Sequence, residues 1–102
     1  MSTTKKFLKS KPVCKVTFKL PKAAVNGAKQ VALVGEFNEW KTDADFMKPL
    51  KDGSFKITKD LETGKDYQYR FLIDETQWEN DWDADSYAPS GVSFEENSVV
   101  TV

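Results

Sequence analysis

Histidine is absent from the 102 residues, and cysteine occurs once. The first absence removes the usual general base of nucleophilic triads and the commonest ligand of zinc and copper sites. The second excludes an internal disulfide. Cys14 alternates with Val16, Phe18 and Leu20, so it reads as a core residue rather than a reactive thiol. An excess of charge is also missing: fifteen basic and sixteen acidic residues leave a net charge of -1. Such a balance gives no overall field to attract nucleic acid or an anionic membrane. No apolar run is long enough for a signal-peptide core or a membrane span.

What the chain does have suffices for one compact domain. Hydrophobic residues make up 39%, aromatics 13% and charged residues 30%, enough for a single core with a polar exterior. Residues 1–11, with Lys5, Lys6, Lys9 and Lys11, read as a flexible, solvated basic leader. Residues 12–102 read as the single domain. Neither an internal repeat nor a low-complexity stretch interrupts it.

The dominant period is two. Cys14, Val16, Phe18 and Leu20 face one way, against Lys15, Thr17 and Lys19, which is the pattern of a half-buried strand ended by Pro21. A turn through Asn26-Gly27 leads to a second strand over about residues 30–35. Asp52-Gly53 and Thr63-Gly64 separate further extended runs as hairpin turns. The longest run, about residues 65–74, sets Tyr67, Tyr69, Phe71 and Ile73 on a core face against Gln68, Arg70, Leu72 and Asp74 on a mixed one. A β-branched run, "SVVTV", closes the chain. With no helical period, about seven short strands predict an all-β, immunoglobulin-like antiparallel sandwich.

Three features could carry chemistry. Asp81, Asp83 and Asp85 have the D-x-D-x-D spacing that opens a calcium loop. Ser86 stands where the turn glycine belongs, and Val92 where a bidentate glutamate is required, so the stretch reads as a solvated acidic loop. An acid and base pair for glycoside hydrolysis would need a deep cleft, which small single sandwiches seldom build. The second feature is Arg70, on the non-core face. The third is the pair Trp40 and Trp78, each placed among polar residues near a turn and each lacking apolar cover in sequence. An exposed indole can stack on the C–H face of a pyranose while Arg or Asn donors catch the hydroxyls. The same residue types also dominate protein-binding hot spots.

The blocks "VALVGEFNEW", "LKDGSFKITKDLETG", "YQYRFLIDETQW" and "ENSVVTV", in this order, resemble carbohydrate-binding module family 48. That family groups the glycogen-binding domains of AMP-activated protein kinase β subunits with the N-terminal early-set domains of isoamylases and branching enzymes. The resemblance covers about residues 13–102 and implies a non-catalytic module for α-1,4-glucan such as glycogen or starch. By the motif G-x-F-N-x-W it makes Trp40 one stacking ring, and by Q-W it makes Trp78 the other. It gives Arg70, in Y-x-[KR]-F, and Asn97, before the last strand, the sugar hydroxyls. Asp81-Trp82 departs from the family's usual D-P, and the loop to Asn97 is longer. The apolar residue that clasps the glucan has no clear counterpart, Val92 and Phe94 being the two candidates, and Trp82 is either a third contact or packing beneath the loop. The resemblance leaves open an adaptor role, with the domain docked on a separate glycan-active enzyme or kinase-type partner. No cofactor is indicated, and a cytoplasmic location is the expectation.

Overall fold

The computed structural model describes residues 3–25, 27–82, 84–89 and 96–102. Nine strands, all in antiparallel pairs, form two sheets among these residues. The first sheet holds β1 (Thr3–Phe7), β2 (Val13–Leu20), β5 (Phe55–Glu62) and the two-residue β4 (Lys48–Pro49), in the order β1-β2-β5-β4. The second holds β3 (Val31–Gly35), β6 (Asp66–Ile73), β9 (Glu96–Thr101) and β8 (Ser86–Pro89), in the order β3-β6-β9-β8. A short β7 (Gln77–Glu79) also pairs with β6. The all-β sandwich anticipated from the period-two pattern is therefore present.

Its core follows the alternation. Cys14, Val16, Phe18 and Leu20 from one sheet and Val31, Leu33, Tyr69, Phe71 and Val100 from the other are fully buried. The Phe18 and Tyr69 rings meet edge to face, with centroids 4.9 Å apart, a favoured aromatic geometry. Fully burying each such side chain stabilises the fold by roughly 1.5–3 kcal/mol. Strand β3 is buried on both faces, and its outward residues Ala32 and Val34 join Leu72 in a small second cluster.

Three sequence expectations change. The basic leader is not a free arm throughout, because residues 3–7 form β1 and pair along β2 from Thr3↔Phe18 to Phe7↔Cys14. Without β1, the edge of β2 would expose a row of unpaired N–H and C=O groups. Lys5 also reaches across to Asp85 at 2.6 Å, tying this edge to the segment that enters β8. Secondly, a single helical turn, α1 (Lys22–Val25), follows Pro21 and buries Ala24 and Val25. One turn is too short to give a helical period in sequence. Thirdly, the acidic segment is not simply solvated: Asp81 is 1% exposed. No helix among the described residues is long and apolar enough to cross a membrane.

Candidate functional site

An open groove of about 630 Å³ lies on the outer face of the second sheet, and its lining includes Trp40, Arg70, Trp78 and Asn97. Glu36, Thr42, Gln68 and Pro89 complete the described lining. Strand register accounts for most of this convergence. Residues directly opposite each other in an antiparallel ladder project to the same face, and that face repeats every second residue. Leu72 pairs with Trp78, and Tyr69 with Ser98. Since Tyr69 and Ser98 point into the core, Arg70, Leu72, Trp78 and Asn97 share the outer face.

Arg70 occupies a break between two ladders. The pairing of β6 with β9 ends at Tyr69, and its pairing with β7 begins at Phe71. At this break the Arg70 guanidinium donates from Nη2 to the Glu96 carbonyl at 3.1 Å. Asn80 reaches the same carbonyl from Nδ2 at 2.7 Å and accepts from Ser98 Oγ at 2.8 Å. The guanidinium thus shares with Asn80 a backbone carbonyl at the groove.

Trp40 arrives by a different route. Beyond β3 the chain makes a 3-10 turn (Glu36–Asn38), and Phe37 drops into the core beside Phe18, at a centroid distance of 5.8 Å. Glu39 and Trp40 then both adopt left-handed backbone, at φ 58° and 60°. Trp40 N–H donates to the Gly35 carbonyl at 2.9 Å, closing the turn. The strained pair swings the ring away from the core, and it remains 39% exposed. Left-handed backbone at such residues is costly, and the turn is held from behind by Asn38. The Asn38 amide accepts from Gly35 N–H and donates to the Leu33 carbonyl and to Asp45 Oδ2, all within 3.1 Å.

Trp78 is positioned by the tight β6–β7 turn, where Asp74 and Glu75 are also left-handed, and the residue is 44% exposed. Two large indoles thus stand open to solvent on one groove, beside a guanidinium and a buried asparagine amide. The sequence reading named these four residues and missed Glu36, Thr42, Gln68 and Pro89. Gln68 was legible in principle, lying two residues before Arg70 on the same strand face. Trp82 is 56% exposed, donates to Glu79 at 3.3 Å and is not among the described groove residues. At that exposure it is not buried packing. Val92 and Phe94 lie outside the described residues.

The acidic segment takes structural partners. Asp81 Oδ2 accepts from the Tyr69 hydroxyl at 2.7 Å, and Asp81 N–H donates to Ser98 Oγ at 2.8 Å. The Tyr87 hydroxyl donates to the Asp81 carbonyl. Burial first, and then the neighbouring Asp81 carboxylate, push the Tyr69 hydroxyl far above its usual range. Asp85 is held between Lys5 and the Thr101 N–H. Burial raises its pKa, but these two donors outweigh that and leave it below the ordinary carboxylate value. Neither Asp81 nor Asp85 belongs to the described groove lining.

The model of the family described as the glycogen recognition site of AMP-activated protein kinase matches residues 14–92. The chain belongs to this family of carbohydrate-binding domains. The match takes in β2 from its second residue through β8, and with them Trp40, Arg70 and Trp78. No curated protein sequence matches the chain.

Proposed function

We propose that the groove binds α-1,4-linked glucan, as in glycogen, starch or malto-oligosaccharide, and that the domain is a non-catalytic module. The observation that carries this reading is that two exposed indoles, Trp40 and Trp78, line one groove together with Arg70 and Asn97. Each indole offers a flat apolar face to the C–H face of a pyranose, and the guanidinium and amide supply donors and an acceptor for the ring hydroxyls. Hydroxyl recognition of this kind needs no long-range steering, in keeping with a net charge of -1. Membership of a glycogen-recognition family supports the ligand class. The commitment of Asp81 and Asp85 to structural partners supports binding over hydrolysis.

Calorimetric titration with maltoheptaose, set beside a cello-oligosaccharide, tests the reading. The α-linked sugar binds and the β-linked sugar does not, in keeping with a family described by glycogen recognition. Trp40→Ala and Trp78→Ala each lose about 1–3 kcal/mol of binding, the range found when an aromatic platform is removed from under a stacked base. Undiminished binding in the folded double variant would remove the proposed site.

A further inference from the structure

Gln68 sits at the centre of a short relay that crosses the groove floor. Strand β3 ends at Gly35, opposite Tyr69, so the next N–H along β6 has no strand partner on that side. The Glu36 side chain supplies one, accepting the Gln68 N–H on Oε1 at 2.7 Å. The backbone of Gln68 is therefore pinned from the Trp40 side. On the other side its Oε1 accepts from Asn97 Nδ2 at 2.9 Å. All three residues line the groove.

The second contact bears on what the groove presents to a ligand. A free asparagine amide can exchange the places of its oxygen and nitrogen by rotating about its last side-chain torsion. Asn97 is 6% exposed, and which end of its amide faces the groove decides whether a sugar hydroxyl there must accept or donate. Gln68 presents Oε1, which only accepts, and with that oxygen toward Asn97 only the rotamer that brings Nδ2 to it makes the bond. Once that bond is made, Asn97 retains its second N–H and its Oδ1 for a ligand, in a fixed arrangement.

Resting on the glucan reading above, we infer that Gln68 is a positioning residue for sugar recognition. It acts through Asn97 by holding that amide in a single orientation before the ligand arrives. A group ordered in advance does not have to be ordered on binding, so the bond raises affinity without touching the sugar.

The test uses the full chain and three proteins: wild type, Gln68→Leu and Gln68→Glu. Leucine keeps the bulk at 68 but cannot accept, whereas a glutamate carboxylate accepts the same Asn97 N–H and lacks the glutamine's own donors. Maltoheptaose affinity, measured by calorimetry, falls roughly three- to tenfold in Gln68→Leu, the scale of one neutral hydrogen bond. Gln68→Glu recovers most of that loss. In parallel, the Asn97 side-chain amide protons, followed by NMR without sugar, change shift in Gln68→Leu and stay close to wild type in Gln68→Glu. Wild-type affinity in folded Gln68→Leu overturns the inference. So does equal weakening in both variants, which would mean that Gln68 serves the sugar through its own Nε2. Wild-type protein that binds no maltoheptaose removes the glucan reading itself, and with it this inference. The two failures are therefore told apart by the wild-type titration.

Discussion

The Tyr69 hydroxyl donates to Asp81 Oδ2 across 2.7 Å at the back of the second sheet, with both residues at 1% exposure or less. A phenol at the centre of the core would strand its polar end without this carboxylate. The bond fastens the segment after β7 to the middle of β6, one residue before Arg70. Burial raises the Tyr69 pKa most, and the Asp81 charge adds to it, so ionisation is disfavoured in the folded protein.

An alkaline limit to stability is therefore expected. Tyr69 has a folded pKa above its unfolded value of about 10. Below pH 10 the hydroxyl is neutral in both states and its contribution is intact. Above pH 10 only the unfolded chain releases the proton, so stability falls by about 1.4 kcal/mol per pH unit. Urea denaturation between pH 8 and 11.5 should show this slope, and Tyr69→Phe should lack it. Tyr69→Phe should also lower stability at neutral pH by about 1–2 kcal/mol through loss of the hydrogen bond. An identical alkaline slope in the variant would assign the proton to another group.

At the acid end the controlling contact is Asn38 with Asp45. Partial burial works to raise the Asp45 pKa, but the hydrogen bond from Asn38 and the Lys59 ammonium at 3.0 Å prevail, leaving it below 3.8. A depressed carboxylate contributes stability that is present above its unfolded pKa and is lost as the pH falls through its folded value. The stability difference between wild type and Asp45→Asn should thus be largest at pH 6 and shrink below about pH 3.8. Thermal melts of both proteins over that range check it. Asn38→Ala removes the three bonds that hold the Trp40 turn, and should cost about 2 kcal/mol near pH 6 and less once Asp45 is protonated.

The reading of the sequence reached the sandwich because strand burial follows a strict alternation in β2, where Cys14, Val16, Phe18 and Leu20 are all at 0% exposure. It placed Arg70 for a related reason, since the parity of one strand fixes its outer face, whereas Trp78 was singled out by its polar neighbours beside a turn and by the Q-W motif. Contacts across distance in sequence were beyond that logic. Asp81 looked like one more loop carboxylate because its partner, Tyr69, lies twelve residues away on another strand. The β1 pairing was hidden by four lysines whose charge argued for solvent, although an open β2 edge only becomes apparent once the sheet is assembled. Trp82 was ambiguous for the same reason: a loop residue has no parity to place it. In the motif "GEFNEW" the tryptophan stood out, while the work of Gly35, Phe37 and Asn38 in presenting it became visible only in three dimensions.

The β6–β7 turn leaves room for stabilisation. Asp74 and Glu75 both have left-handed backbone, at φ 50° and 64°. Asp74 has a reason to be there, because Oδ1 accepts the N–H groups of Lys29 and Gln30 at 2.9 and 3.0 Å. Glu75 makes only an exposed bond with Gln30 Nε2 at 3.1 Å. Glu75→Gly should relieve the left-handed strain and raise stability by about 0.5–1 kcal/mol, net of the extra freedom glycine has in the unfolded chain. The midpoint of chemical denaturation measures this. A fall in the midpoint would mean that the exposed bond outweighs the strain.

Gly35 is needed for space rather than for an unusual backbone. Its φ of -170° is extended and open to any residue. A Cβ there, however, would lie 2.7 Å from the Gln68 carbonyl oxygen, 2.8 Å from Tyr69 Cβ and 2.9 Å from Phe37 Cζ. Two of these belong to the central strand β6, which cannot withdraw without disturbing its ladders, and the third anchors the Trp40 turn in the core. Gly35→Ala should therefore cost about 1–3 kcal/mol, as overpacking does, and should weaken glucan binding by displacing both Gln68 and the turn. Gly27→Ala is the control, because Gly27 has a positive φ of 79° and nothing within 4 Å of its added Cβ. That variant should lose only about 1–2 kcal/mol from backbone strain and keep its affinity for maltoheptaose. Loss of affinity at Gly27 but not at Gly35 would show that the close approach of β3 to β6 does not shape the groove.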